Sequence, residues 1–286
     1  MTLRIATCRP LPEPDVDEEP LLQALAAAGV AAEMVAWDDP PAWADPQPTL
    51  IRSTWNYLHA PAAFADWVRQ VSASARLWNP PPVILGNLHK GYLLELAARG
   101  VPVAPTVLLR RGSTESLTRL CEARSWHDVV VKPAIGAASF ETHRFREPSS
   151  QADALVVALA QERDVLVQPY LPSVEDHGER ALVWIDGTFT HAVRKTPRFA
   201  GGVEVVSEAV EISAAERQVG DAALAPFADQ LLYARVDVAP LADGQPVVME
   251  VELIEPSLFL LQSPEALARL VAAVRRELGC GARCLV

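Results

Sequence analysis

The sequence predicts an α/β fold, with a parallel-sheet domain at the N-terminus and two α+β subdomains after it. Predicted strands and helices alternate over the first third of the chain, as in parallel sheets covered by helices. From residue 180 onward the pattern becomes rich in strands. Half of the 286 residues are apolar, which suits a substantial core divided among two or three joined subdomains. We place the boundaries at 1–84, 85–170 and 171–286.

Short apolar runs and amphipathic stretches define the elements of the first domain. Its second helix has apolar residues every three or four positions from Phe64 to Val71, which places them on one face. Its first helix ends before Gly29, since glycine favours the conformation found after helix C-termini. The proline cluster at 80–82 ends the domain. The predicted strands are 3–8, 32–37 and 49–52, and the predicted helices are 19–28 and 61–71.

The later elements are predicted from the same patterns, which are short apolar runs for strands and amphipathic stretches for helices. Asp186-Gly187 and Asp243-Gly244 are dipeptides that favour tight turns, so each predicts a hairpin between flanking strands. The predicted helices are 88–98, 114–123, 151–161, 213–229 and 264–278, and the principal predicted strands are 107–109, 129–131, 165–167, 231–238 and 247–252.

The charge and the cysteine content exclude several classes of partner. A net charge of -11 and a pI near 5.0 argue against general affinity for nucleic acid or anionic membranes. No apolar run reaches the roughly 18 residues that span a bilayer, and no signal peptide is predicted. The four cysteines indicate buried thiols in a reducing cytoplasm, although Cys280 and Cys284 could also form a metal or redox site. The sequence leaves a homodimer open.

The chain lacks the two commonest nucleotide-binding motifs. There is no GxGxxG after the first strand and no GxxxxGK[ST] anywhere, which disfavours a dinucleotide-binding or P-loop enzyme. The apolar strand 129–131 instead ends at Lys132, and a small-residue loop from Pro133 to Ser139 follows. A lysine there either reaches solvent or faces an anion, because a buried ammonium needs a partner. Backbone N–H groups of the loop could close over phosphates.

Two predicted strands near the C-terminus carry charged residues on one face each. Arg235 and Asp237 share a face, as do Glu250 and Glu252 thirteen residues after Asp237, because side chains alternate along a strand. A hairpin would bring the three carboxylates together. Such a cluster repels itself unless cations neutralise it, and Mg²⁺ fits that need. The alternative is an acidic edge that faces solvent.

These elements together resemble the ATP-grasp superfamily over residues 85–278. The resemblance rests on the Arg-x-Asp and Glu-x-Glu strands, the strand that ends in Lys132, and the linker 168–171. Within the superfamily, the chain is similar to the glutathione-synthetase-like and ribosomal-S6-modification-like group, and most to the O-ureido-serine cyclo-ligases of cycloserine biosynthesis. The segments 51–57, 77–80 and 252–257 support this subgroup.

The resemblance implies an ATP site and a metal site. Lys90 and Lys132 would hold the phosphates of ATP from opposite sides. Segment 168–171 would line the adenine slot, and either Glu175 or Glu179 would accept hydrogen bonds from the ribose hydroxyls. The implied ATP-binding residues are Lys90, Lys132, Gly136, Ser139, Gln168, Pro169, Tyr170, Leu171, Glu175 and Glu179, and the implied Mg²⁺ ligands are Asp237, Glu250 and Glu252. The chain departs from the superfamily's pattern at two points. Residue 252 is Glu where most relatives have Asn, and the loop after Lys132 has fewer glycines than the same loop in many relatives.

The same resemblance places cations over the reaction centre and a substrate site beside the third strand. Arg52 could bind a substrate carboxylate with two hydrogen bonds. Alternatively, Arg52 forms a structural ion pair among packing aromatics, and Arg194-Lys195 is an exposed strand end. The expected catalytic residues are Arg194, Lys195 and Arg235, and the expected substrate residues are Arg52, Ser53, Trp55, Asn56 and Ser257.

We therefore expect an ATP- and Mg²⁺-dependent ligase that phosphorylates a small amino-acid-like substrate, which then cyclises. The alternatives are a ligase that joins the activated carboxyl to a second molecule's amine, and a nucleotide-binding regulatory module without catalysis. A lid that excludes water would consist of the loop after Lys132 and segment 199–203.

Overall fold

A computed structural model describes residues 1–137, 140–196 and 205–281, with side chains up to residue 279. Ser139, the predicted lid segment 199–203 and Cys284 lie outside the described residues, as does the side chain of Cys280. Among the described helices, none combines the length and the apolar character that a membrane-spanning helix requires.

The N-terminal sheet is parallel, as predicted. Its strands, in the order β2-β1-β3-β4, are β1 (Leu3–Thr7), β2 (Ala32–Ala36), β3 (Thr49–Ile51) and β4 (Leu77–Trp78). Two helices connect them, α1 (Glu18–Ala27) and α2 (Pro61–Ser74). The apolar face of α2 packs with Trp37 and Trp43 in one core, where Trp37 lies edge-on to Phe64 with ring centroids 5.1 Å apart. This aromatic core anchors the loops at the carboxyl ends of the strands.

The region after the proline cluster differs from the prediction. Two short helices, α3 (Pro81–Asn87) and α4 (Tyr92–Ala98), replace the single helix predicted at 88–98. Pro81 begins α3 instead of ending the region, because proline is well accommodated in the first turn of a helix. Lys90 consequently lies in the turn between the two helices.

A four-stranded antiparallel sheet follows. Its strands, in the order β5-β8-β6-β7, are β5 (Val107–Leu109), β6 (Val129–Pro133), β7 (His143–Phe145) and β8 (Val165–Pro169). Helices α5 (Leu117–Arg124) and α6 (Ser150–Glu162) share a core with its strands. Strand β7 was not predicted. Lys132 is the penultimate residue of β6, as expected from the apolar run before it.

The last sheet is also antiparallel and contains both predicted hairpins. After the short helix α7 (Ser173–Asp176), its strands are β9 (Glu179–Ile185), β10 (Thr188–Lys195), β11 (Tyr233–Pro240) and β12 (Pro246–Glu252), in the order β10-β9-β11-β12. Helix α8 (Ala214–Leu224) lies between β10 and β11 in sequence and ends sooner than predicted, since Pro226 cannot continue it.

The closing helix joins the last sheet to the first domain. Helix α9 (Pro264–Gly281) contributes Leu270 and Val274 to a core that also contains Leu3 and Ile5 of β1 and Val183 of β9. The parallel sheet and the last sheet are thus connected through a continuous apolar core. The functional cleft described below opens where the three sheets meet.

Candidate active site

A cleft of about 260 Å³ lies between the two antiparallel sheets and is closed on one side by residues of the N-terminal domain. Most of the residues that the sequence predicted for a site line it. These are Trp55, Lys90, Lys132, Gly136, Gln168, Pro169, Tyr170, Leu171, Glu179, Lys195, Arg235, Asp237, Glu250, Glu252 and Ser257.

All three lysines of the chain line this cleft. The Nζ atom of Lys90 lies 2.6 Å from Oε1 of Glu250 and donates to the carbonyl oxygen of Gly136 at 2.5 Å. The Nζ atom of Lys195 lies 2.5 Å from both Glu179 Oε1 and Asp237 Oδ2. Buried ammonium groups are stable only when they are paired. Because the chain has so few lysines, their presence in the sequence could by itself have indicated the site.

Lys132 differs from the other two lysines. Within the described residues it has no hydrogen-bond or ion-pair partner, although burial lowers the pKa of its ammonium and the nearby Glu250 raises it. Its position at the end of β6 places the amine in the cleft. A ligand's anionic group could therefore bind Lys132 without displacing a protein carboxylate.

Arg235 and Asp237 form the centre of the charged network. The guanidinium donates from Nε to Oδ1 at 2.8 Å and from one terminal nitrogen to Oδ2 at 2.9 Å, and it also pairs with Glu252. Its other terminal nitrogen donates to the carbonyl oxygen of Ser257 at 3.3 Å. Burial opposes ionisation of Asp237, but Arg235 and Lys195 outweigh it and hold the pKa of this carboxyl well below its usual range.

The three predicted metal ligands lie near one another but do not form a ready-made metal site. Asp237 pairs with Glu250, and Arg235 with Glu252, across β11 and β12. Among the residues that the structure describes, no group of three or more His, Cys, Asp or Glu side chains is arranged to hold a metal ion. Each carboxylate is turned toward a lysine or arginine, so cations of the protein itself neutralise part of this acidic cluster.

Burial affects the two glutamates of this group differently. It raises the pKa of Glu252 to about 7, against the effect of Arg235 and with the help of the charges on Asp237 and Glu250. Burial also acts to raise the pKa of Glu250, but Lys90 and Lys132 prevail and lower it. Glu250 is consequently the more firmly ionised of the two.

The segment 168–171 forms one wall of the cleft. The side-chain amide of Gln168 donates to Thr106 Oγ1 at 2.9 Å, and the backbone N–H of Tyr170 donates to the carbonyl oxygen of Asp128 at 2.8 Å. The guanidinium of Arg144 lies 3.3 Å from the centre of the Tyr170 ring. These contacts hold the wall in one conformation.

The two glutamates proposed for the ribose occupy different places. Glu179 lines the cleft. Glu175 does not, since its carboxylate accepts from Tyr170 Oη at 2.8 Å and from Arg144 at 2.8 Å. Glu175 thus orients the wall of the cleft instead of facing a ligand.

Three of the predicted substrate residues lie outside the cleft. Arg52 is 3% exposed, donates to the carbonyl oxygen of Pro256 at 2.8 Å and lies 3.7 Å from Asp17 Oδ2. Ser53 is buried and bonds Thr7, at 2.9 Å between the hydroxyl oxygens. The chain turns inward after β3, and the Arg52 side chain forms a structural ion pair, which was the alternative interpretation of this residue.

The third of these substrate residues is Asn56, and the predicted catalytic residue Arg194 also lies outside the cleft. Asn56 accepts from Trp37 Nε1 at 2.5 Å and donates to Asp38 at 2.8 Å, so its amide is used within the N-terminal domain. The exposed side chain of Arg194 donates to the carbonyl oxygen of Asp176. Because side chains alternate along β10, Lys195 faces the cleft and Arg194 faces outward.

The cleft also contains residues that were not assigned a role from the sequence, among them a glutamate and a tyrosine. Glu255 and Tyr57 both line it, and the Tyr57 hydroxyl acts to lower the pKa of the Glu255 carboxyl. Burial is the main reason that the pKa of Glu255 rises to about 8, and the charge on Glu252 raises it further. The available signal was a third acidic residue shortly after Glu250 and Glu252.

Comparison with known proteins identifies the family. A family profile described as the N-terminal domain of D-cycloserine synthetase DcsG matches residues 3–79. A cycloserine biosynthesis protein DcsG from Streptomyces lavendulae is 35% identical to this chain, over 92% of this chain and 94% of the relative. The chain belongs to the DcsG family. A crystal structure of D-cycloserine synthetase DcsG matches it with a TM-score of 0.90 and 33% identity, over 97% of this chain and 100% of that chain.

A more distant comparison confirms the fold of this DcsG-family chain. The ATP-grasp ligase PsnB, in a complex with a phosphomimetic precursor variant, Mg and ADP, matches with a TM-score of 0.66 and 16% identity, over 96% of this chain and 98% of that chain. The chain therefore has the ATP-grasp fold, as its strand and charge patterns predicted. Family and fold together make it an ATP-dependent ligase.

Proposed function

We propose that this chain activates the carboxyl group of a small amino-acid derivative with ATP and closes a ring within that molecule, as in the formation of D-cycloserine from O-ureido-D-serine. The observation that carries the proposal is similarity to D-cycloserine synthetase along nearly the whole chain, with a TM-score of 0.90. The cleft supplies the charges that such a reaction needs.

The proposed ATP site uses the wall and the cations of the cleft. Segment 168–171 would contact adenine, Glu179 the ribose, and Lys90 and Lys132 the phosphates. Lys132 supports this assignment most directly, because its amine has no partner among the described residues. Lys90 already contacts the carbonyl oxygen of Gly136, so it also fixes the start of the loop proposed to cover the phosphates.

The carboxylates of β11 and β12 have the donor chemistry that Mg²⁺ prefers, which is oxygen. Glu250 and Glu252 keep about a quarter of their side chains exposed, at 24% and 25%, whereas both oxygens of Asp237 accept from Arg235 or Lys195. Glu250 and Glu252 therefore fit as Mg²⁺ ligands as they stand, and Asp237 fits only if one of these bonds is released. Bound Mg²⁺ would neutralise charge on the phosphates.

The proposed reaction closes the ring in two steps. A carboxylate oxygen of the substrate attacks the γ-phosphorus of ATP and ADP leaves. A nitrogen of the same molecule then attacks the activated carbonyl carbon, loses a proton and expels phosphate. With O-ureido-D-serine the ring nitrogen still carries the carbamoyl group, and its hydrolysis by one water to carbon dioxide and ammonia gives D-cycloserine. Lys195 and Arg235 lie in the cleft, where they can stabilise the negative charge that develops in each step. Ring closure within one molecule benefits from a high effective concentration of the nitrogen.

The test is to supply Mg-ATP and O-ureido-D-serine without a second amine. We expect ADP and a cyclised product, both detected by mass spectrometry. If ADP formed only after a second amine was added, the enzyme would be an intermolecular carboxylate–amine ligase. If ATP bound but no amino-acid derivative led to ADP, the regulatory alternative would replace the proposal.

A further inference from the structure

The acids of the cleft differ in whether the protein itself neutralises them. Asp237 and Glu179 pair with Lys195, Glu250 pairs with Lys90, and Glu252 pairs with Arg235. Glu255 forms no ion pair among the described residues, and the charge of Lys90, which pairs with Glu250, acts on it only from beyond ion-pair distance. The neutral hydroxyl of Tyr57 acts to lower the pKa of the Glu255 carboxyl group, and both side chains line the cleft.

Glu255 is also held rigidly. The residue is 8% exposed, and its neighbours in sequence make backbone hydrogen bonds to buried side chains. Trp55 Nε1 donates to the carbonyl oxygen of Glu255 itself at 3.2 Å, and Arg52 donates to that of Pro256 at 2.8 Å. Tyr233 Oη donates to the carbonyl oxygen of Ile254 at 2.8 Å. The carboxyl group is thus presented to the cleft from a fixed backbone.

A buried carboxyl group without a cation is an unfavourable arrangement for a folded protein. The raised pKa of Glu255 reflects this cost, because burial and the neighbouring Glu252 disfavour its ionised form and outweigh the opposing charge of Lys90. A ligand that brings its own cation would remove the cost. Lys132 shows the complementary case in the same cleft, a cation without an anion. Because Lys132 is assigned to the ATP phosphates, Glu255 remains as the unpaired group that suits a positively charged part of the substrate.

We propose that Glu255 binds the ammonium group of the substrate, and that Tyr57 is a positioning residue that orients the Glu255 carboxylate. The proposal rests on the proposed function, since it identifies the substrate of the same cleft as a zwitterion with a free amine. A primary ammonium has three N–H donors, which can bond both the carboxylate and other acceptors nearby. Selection against analogues without the amine follows, because they would leave Glu255 without a cation.

Binding is measured by isothermal titration calorimetry of O-ureido-D-serine, D-serine and L-serine, and of the desamino analogue of O-ureido-D-serine, to protein saturated with a non-hydrolysable ATP analogue. We expect the parent to bind the ureido compound about 10- to 150-fold more tightly than its desamino analogue, the range for a hydrogen bond to a charged group. Glu255→Gln should remove that preference while leaving the affinity for the ATP analogue unchanged. Tyr57→Phe should reduce the preference for the ureido compound less than Glu255→Gln does. The double variant should bind the ureido compound no more weakly than Glu255→Gln alone.

Glu216→Gln is a matched control, because Glu216 is also 8% exposed but pairs with Arg180 and caps α8 outside the cleft. It should leave the amine preference intact. An equal loss of affinity for the ureido compound and its desamino analogue in Glu255→Gln would overturn the proposal, as would restoration of binding by raised Mg²⁺, which would make Glu255 a metal ligand. Absence of binding by every zwitterion would overturn it too. ADP formation by the parent is recorded separately, so binding without turnover counts against the proposed function alone.

Discussion

Lys90 and Glu250 connect two separate parts of the active-site cleft, with 2.6 Å between Nζ and Oε1. The same Nζ atom donates to the carbonyl oxygen of Gly136. Lys90 lies in the turn between α3 and α4, so its ammonium group connects that turn to strand β12 and to the loop after β6. Any ligand phosphate that binds Lys90 must share it with these two acceptors.

The first prediction concerns Glu250. Glu250→Gln leaves the Lys90 ammonium without an ionised partner and removes a proposed Mg²⁺ ligand, so ADP formation should fall by about 100-fold or more. The folded structure should persist, since the side chain is already 24% exposed. A coupled ADP assay and a thermal melt measure the two effects. Glu277→Gln is the control, because Glu277 is 23% exposed and pairs with Arg76 outside the cleft. Parent-like turnover by Glu250→Gln would contradict the assignment.

The second prediction concerns Lys132. Lys132→Met keeps the apolar part of the side chain and removes an ammonium that burial already disfavours. Its melting temperature should equal or exceed that of the parent, while the increase in melting temperature on adding Mg-ATP should shrink strongly. Lys132→Arg keeps the charge and should retain part of that increase. The phosphate role would be refuted if Mg-ATP stabilised the Met variant as much as the parent.

The third prediction concerns pH and Glu255. Its pKa is about 8 in the folded protein against the ordinary value of 4.5, so the folded state binds the proton more tightly than the unfolded state. The resulting stability is fully present below pH 4.5 and is lost as the pH rises toward 8. Glu255→Gln does not titrate, so its melting temperature relative to the parent should rise between pH 5 and pH 8. A constant difference between the two proteins over this range would contradict the prediction.

The fourth prediction concerns the buried pair of Arg52 and Asp17. Arg52→Ala leaves Asp17, which is 2% exposed, without its cation, so the free energy of unfolding should fall by about 3–5 kcal/mol. Urea denaturation measures this loss. Adding Asp17→Asn should recover part of it, since the unpaired charge is then removed. If Arg52→Ala unfolded at the same urea concentration as the parent and only raised the substrate KM, the direct substrate role would be restored.

Features that depend on local periodicity were predictable from the sequence. The alternation of charged and apolar residues placed Arg235 with Asp237, and Glu250 with Glu252, on shared faces, and the structure pairs their strands through the predicted hairpin. The apolar run before Lys132 likewise located the end of β6. Where proline decides a helix end, local reasoning was less successful, because the same residue can begin a helix, as at Pro81, or stop one, as at Pro226.

The direction of side chains at a strand exit was not predictable in the same way. Arg52 follows β3 at the edge where α/β sheets bind ligands, yet it turns inward to Asp17. Arg194 and Lys195 are adjacent in sequence, but only Lys195 reaches the cleft. Each outcome depends on which element packs against that position, and that element is distant in sequence.

The sequence by itself determined the α/β class, the order of the sheets and the residue types of an ATP-grasp site, because hydrophobic period, turn residues and strand alternation are local properties. Only the tertiary structure decided how the charges combine: Lys90 with Glu250, Lys195 with Asp237 and Glu179, and Glu255 without an ion pair among the described residues. The physical reason is that electrostatic pairing depends on distance and burial in space. Three sheets from separate parts of the chain must come together before the distances between these charges and their burial are fixed.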